Sequence, residues 1–306
     1  MRRLLQSLVR FSVVWAFEAL ALLVLDWLVP GISLSTSESV DIPSVAMSVA
    51  LVLGMAAGTW IAYRWARSKM ADPAVVLDAG FWALLGGILG GRIGFVAANW
   101  AYYVDHMDKA LRLSQGGLHW HGALIGGTAA VLLWGTVRRR LGMSAPDWRD
   151  LADAAAPGLA LGGALGWLGC LLAGSAYGAE ASGYAAPLAW LTAELPDIYG
   201  VKAVRFLTQP LMIGWCLVLW GLLQSIRRRL PRGLAFGLYM LLYALADFAA
   251  AFVRGDGVLR WGLWLSQWMA AAEMCAALLV GWILLARMGA PSPFQPSERA
   301  REEGGD

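Results

Sequence analysis

Chemistry in this chain is first sought among polar residues set inside apolar runs. From Gly116 to Gly127 the sequence reads Gly-Gly-Leu-His-Trp-His-Gly-Ala-Leu-Ile-Gly-Gly, which holds two of the three histidines and opens an apolar segment. Hydrocarbon does not solvate ionisable groups, so those placed at a membrane helix end are usually functional. A histidine of ordinary pKa exchanges protons near neutral pH. His121 is therefore a candidate general base at the membrane surface. The competing reading is an interfacial polar residue beside Trp120 in an aromatic belt. His119, two residues earlier, falls on roughly the opposite helix face.

Arg92 lies in Gly90-Gly91-Arg92-Ile93-Gly94, near the middle of its own apolar run. An arginine there costs ~2.5–3.5 kcal/mol on insertion scales, so it should face the bundle interior and meet an anion. A lipid phosphate would serve, and so would a carboxylate. Asp247, in Tyr243-Ala-Leu-Ala-Asp247, is the carboxylate expected to share a cavity with it. Tyr243 and Asp247 are four apart and point the same way. Arg254, two turns on, is either a phosphate ligand or a snorkelling interface arginine. Glu18, Asp26 and Glu273 are further intramembrane carboxylates, and no motif surrounds them. Cys170, Cys216 and Cys275 fall in apolar segments. An odd number without regular spacing is neither a disulfide framework nor a zinc site, and each reads as a small buried hydrophobe. Nothing in the pattern calls for a metal or a cofactor.

The elements that must hold these residues are membrane helices. Of 306 residues, 59% are hydrophobic and only 15% are charged, against roughly 25% charged in a soluble domain. Eight apolar runs approach or exceed the length that crosses a bilayer, at 11–29, 45–63, 79–104, 118–137, 151–172, 207–226, 233–253 and 264–287. Arginines two and three, followed by the first run without a small-residue cleavage site, predict a retained signal anchor. With the N-terminus placed in the cytoplasm, the inner side collects seventeen of the lysines and arginines and the outer side six. The positive-inside rule therefore sets both termini in the cytoplasm. The expected organisation is an N-terminal anchor and outer loop over 1–41 and a membrane domain over 42–290. That domain carries a small outer head at 173–206, and a disordered cytoplasmic tail follows at 291–306. Glycines recur at small-xxx-small spacing, at Gly86, Gly87, Gly90 and Gly91 and then at Gly158, Gly162, Gly166 and Gly169, which reads as close helix packing. The mild net charge of +3 says nothing of nucleic acid, and no partner of that kind is expected. A transporter is a weaker class, because no interrupted inverted repeat is present.

Gly90-Gly91-Arg92-Ile93-Gly94 followed by His121-Gly122-Ala123-Leu124-Ile125-Gly126 resembles the prolipoprotein diacylglyceryl transferase family of the bacterial plasma membrane. The resemblance covers about 42–287, and the helix at 11–29 is extra to it. It implies an all-α polytopic membrane bundle that moves a diacylglyceryl group from phosphatidylglycerol to the thiol of a lipobox cysteine. The partners it implies are that phospholipid and the prolipoprotein signal peptide. A phosphate head group needs cationic donors, the thiol must become a thiolate, and the departing glycerol phosphate must be stabilised as charge develops. On this resemblance His121 is the catalytic residue, and Arg92, Tyr243, Arg254, Gln209 and Asp247 line the substrate.

The chain also departs from the family pattern. Trp167 stands where the pattern has arginine, Cys170 and Ala173 where it has asparagine, and Ser175 where it has glutamate. Asp247 replaces an arginine, Ala251 a glutamate, and the usual tyrosine near Val45 is missing. Exchanging a cation for Asp247 moves the local charge by two units. At an effective dielectric of about 20 and about 6 Å, each unit opposes an anionic head group by roughly 2.8 kcal/mol. The alternative function is a catalytically silent family member that binds lipid or a partner protein.

Overall fold

A computed structural model of the protein describes residues 42–70, 72–111, 117–181, 186–196, 200–257 and 259–289. The anchor expected at 11–29, the loop that follows it, Glu18, Asp26 and the tail at 291–306 lie outside the described residues.

Eight α-helices are present among the described residues. They are α1 (Ile42–Lys69), α2 (Val75–Ala98), α3 (Trp100–Tyr103), α4 (Trp120–Arg140), α5 (Trp148–Leu172), α6 (Thr208–Ile226), α7 (Leu234–Ala250) and α8 (Leu265–Gly289). All but the short α3 are long and apolar enough to cross a membrane. The fold is thus an all-α polytopic membrane bundle, as its composition requires. One expected boundary moves. The run at 79–104 breaks at Asn99, whose side chain donates to the Phe95 carbonyl at 2.9 Å while its backbone leaves helical geometry. Asparagine offers the chain a local alternative to the helical ladder.

Helix α1 packs along α5 and α2 along α4, while α6 packs on α5 and α7, and α7 on α8. The glycine stripes are where two of these pairs touch. A methyl group on Gly86 or Gly90 of α2 would overlap the carbonyls of Gly126 and Gly122 on α4. Across α1 and α5, a methyl on Gly58 would lie 2.9 Å from the Gly158 carbonyl. Small residues let helix backbones meet where lipid supplies no hydrophobic drive. The buried core lies among α5, α6 and α7, with Ala160, Ala164, Trp167, Cys216, Leu219, Tyr239 and Tyr243. Cys216 is buried there as expected, whereas Cys170 is half-buried and Cys275 exposed.

At one end of the bundle, Asp153 of α5 accepts the backbone N–H groups of Gly233 at 2.7 Å and Phe236 at 3.0 Å. A carboxylate there satisfies orphan donors at the start of α7 and fixes that helix against α5. The opposite end carries the long connections. Between α5 and α6, strands β1 (Thr192–Pro196) and β2 (Lys202–Phe206) form an antiparallel hairpin. Between α7 and α8, β3 (Leu259–Arg260) and β4 (Leu263–Trp264) form a smaller one. The two connections are sewn together. Ala179 N–H donates to the Val253 carbonyl at 2.8 Å, and Gly255 N–H to the Tyr177 carbonyl at 2.9 Å.

Candidate active site

The α2–α4 crossing places the first candidate. His119 N–H donates to the Gly91 carbonyl at 2.9 Å, and Gly122 seats against Gly90, so the opening turn of α4 lies against the second half of α2. His121 follows on that turn and is 3% exposed. Its Nδ1–H donates to Glu273 Oε1 at 2.7 Å, and its Nε2 lies 3.5 Å from Asp247 Oδ2. The imidazole is thus clasped between a carboxylate of α7 and one of α8. Glu273 is eight residues into α8, a depth of about 12 Å at 1.5 Å per residue. His121 is therefore buried against the first half of α8. A buried charge needs a partner, and the three residues supply one another.

The wall around this group is aromatic and cationic. Trp167 Nε1–H donates to the Tyr243 hydroxyl at 3.3 Å, and the Tyr243 ring lies 5.6 Å from that of Trp120. The Arg254 guanidinium stands over the Trp167 ring at 5.9 Å. Arg254 also donates through Nε and Nη2 to both oxygens of Asp256, at 2.9 and 3.0 Å. That bidentate pair fixes the plane of the guanidinium at the mouth. The His119 ring lies 5.3 Å from that of His121. Burial, first, and the nearby His121 and Arg254, next, hold the His119 pKa below its ordinary value.

Two further expected site residues, Arg92 and Gln209, are held by backbone carbonyls. Arg92 is 2% exposed and does not share an ion pair with Asp247, which faces His121. Its Nε donates to the Ala110 carbonyl at 2.6 Å and its Nη2 to the Lys109 carbonyl at 2.8 Å. Nη1 reaches the Gly117 carbonyl at 3.2 Å, and Nη2 also meets the Tyr103 hydroxyl at 3.3 Å. The five donors of a guanidinium suit a ring of carbonyls, and the connection between α2 and α4 curls over the cation to provide one. Gln209 is 1% exposed, and its Nε2 donates to the Ser175 carbonyl at 2.9 Å. Thr208 Oγ1 donates to the Ala176 carbonyl at 3.0 Å. Together they clamp the turn that leaves α5 onto the start of α6.

Glu273 is the residue the sequence did not assign. The available signal was its isolation, a lone carboxylate in an apolar helix. Its partner lies 152 positions away in the chain.

These features define a class, a polytopic membrane protein with a titratable polar centre recessed at the looped end of its bundle. The chain belongs to the prolipoprotein diacylglyceryl transferase family, whose pattern matches residues 40–283. A protein of Symbiobacterium thermophilum named phosphatidylglycerol–prolipoprotein diacylglyceryl transferase is 32% identical over 244 residues, covering 78% of this chain and 86% of that one. A protein of the same name from Synechococcus elongatus is 28% identical over 291 residues, 90% of this chain and 95% of its own. Another from Paenarthrobacter aurescens is 31% identical over 284 residues, 87% and 86%.

Proposed function

We propose that this chain transfers a diacylglyceryl group from phosphatidylglycerol to the lipobox cysteine thiol of a prolipoprotein at the outer face of a bacterial plasma membrane. The observation that carries the reading is the recessed His121, held by carboxylates at both ring nitrogens, within a chain of this family. The relatives' names supply the two substrates. Domain limits follow the same reading, with an anchor over 1–41, the transferase domain over 42–290 and a cytoplasmic tail.

The reaction divides into three tasks. The incoming thiol gives its proton to His121 Nε2, directly or through water, because the thiolate is the nucleophile. The sulfur then forms a C–S bond at the glyceryl carbon that carried the phosphate ester. The C–O bond to phosphate breaks, and glycerol phosphate leaves with the electron pair. Asp247, beside Nε2, stabilises the imidazolium that forms, as a carboxylate does in a catalytic triad. Arg254 is placed to meet the phosphate at the mouth, with the planar donors that suit it. Arg92 acts at one remove, through the connection it folds over the site. Burial of His121 beside aromatic side chains limits the access of bulk water to the ring.

Transfer of labelled diacylglycerol to a lipobox peptide tests this reading, with the purified protein in phosphatidylglycerol vesicles. Wild type should transfer, and His121→Ala should lower the rate by about 10²–10⁴-fold, the usual worth of a general base. Wild-type activity left intact by His121→Ala would sink the mechanism. An inactive wild type, where a family member with every motif cation works, would return the silent reading.

A further inference from the structure

Glu273 carries an inference that rests on the proposed reaction and deepens it. A carboxylate within an apolar span is costly and persists where something needs it. Glu273 comes from α8, otherwise apolar around it, and its side chain is 13% exposed. Its Oε1 makes the shortest polar contact of the site, 2.7 Å to His121 Nδ1. Its Oε2 is buried and has no hydrogen-bond partner among the described residues. The contact with His121 is thus the one hydrogen bond this carboxylate makes there. The two contacts of the ring are unequal, since Asp247 stands at 3.5 Å from Nε2, too far for a good hydrogen bond. A carboxylate accepts and cannot donate. Nδ1 must therefore carry a ring hydrogen, and Nε2, the more loosely held nitrogen, is the one placed to exchange a proton.

We infer that Glu273 is a positioning residue, which fixes the Nδ1–H tautomer of His121 and so makes Nε2 the atom that takes the thiol proton. The arrangement is that of a nucleophile–histidine–carboxylate triad whose nucleophile arrives on the substrate. Its orienting member is supplied by the last helix of the bundle. Asp247 has the separate task of meeting the imidazolium on the other side of the ring. The charged groups facing the pair come from each neighbouring element: Asp247 from α7, His119 ahead of α4, and Arg254 after α7, whose field reaches His119.

The test uses the full-length protein in phosphatidylglycerol vesicles and two measurements. The first is 15N NMR of histidine-labelled protein, with the His121 signal assigned by its loss in His121→Gln. Wild type should show Nδ1 protonated and Nε2 bare, and Glu273→Gln should mix the two tautomers. The second is the kinetics of diacylglyceryl transfer. Glu273→Gln keeps the shape of the side chain and should lower kcat by about 10²–10⁴-fold with KM for lipid and peptide unchanged. A structural ion pair alone would leave kcat intact. A wild-type ring with Nε2 protonated, or with both nitrogens protonated at neutral pH, overturns the inference, and so does a wild-type kcat in Glu273→Gln. If Glu273→Gln fails to fold, the wild-type signal decides alone. If wild type transfers no lipid, the proposed reaction fails. The tautomer and its response to Glu273→Gln then still decide the assignment of Glu273.

Discussion

His119 and His121 are two residues apart and live in unlike surroundings. His121 is matched by carboxylates, whereas His119 is held below its ordinary pKa first by burial and then by the neighbouring His121 and Arg254. In the unfolded chain His119 titrates near pH 6.5. Below that pH the unfolded state binds a proton that the folded state resists, so stability rises with pH in this window. The contribution is therefore unfavourable at acid pH, and grows as the pH falls from about 6.5 toward the depressed folded value. His119→Gln removes it. The unfolding midpoint in detergent should drop less for His119→Gln than for wild type between about pH 7.5 and about pH 5.5. An equal drop would place the acid sensitivity elsewhere. The same contrast shows what was legible at this scale. His121 stood out because a histidine in an apolar motif is conspicuous. The pairing did not follow, because matching Arg92 to Asp247 by charge ignored the backbone carbonyls that also accept from a guanidinium. It also left the histidine's own need for carboxylates out of account.

The helices were legible because lipid demands long apolar runs, and seven of the eight expected spans fall on described helices. The glycine spacing was legible for a related reason, since two backbones can touch only where side chains are absent. Its consequence for the site was not, because spacing alone does not say which helices meet. The α2–α4 crossing turns out to be the seat of His121, whose neighbour Gly122 lies against Gly90. A methyl at Gly90 would overlap the Gly122 carbonyl and stand 2.7 Å from Gly126 Cα, whereas one at Gly80 on the same helix meets nothing within 4 Å. Gly90→Ala should therefore force α2 and α4 apart and cost about 1–3 kcal/mol, as overpacking does. Gly80→Ala should be neutral or gain about 0.4–1 kcal/mol from the stiffer unfolded chain. Thermal unfolding of the two variants checks the pair. Equal midpoints would mean that the crossing yields without strain.

Orientation belongs to the whole molecule, and it decides whether the site can meet its substrates. The described parts of the connections after α2, α5 and α7 gather at the end of the bundle that holds His121, Asp247 and Arg254. The other end carries Arg138, Arg139 and Arg140 in the last turn of α4, and Arg227, Arg228, Arg229 and Arg232 between α6 and α7. Cytoplasmic loops attract such clusters, so the site end should face outward, where an exported lipobox cysteine arrives. A chain inserted the other way would show its histidine to unexported protein and its arginine clusters to the wrong side. Reporter fusions at Arg140 and Arg229 should read cytoplasmic, and a fusion near Gly183, between α5 and β1, should read external. With α1 crossing from the outside inward, a cytoplasmic N-terminus then requires an odd number of crossings before Ile42, which the apolar run at 11–29 would supply. A reporter placed ahead of that run should therefore also read cytoplasmic. An external reading there, with the other three as expected, would remove the extra span and leave the seven helices intact. A cytoplasmic reading at Gly183 would turn the site away from its substrates and end the transferase proposal.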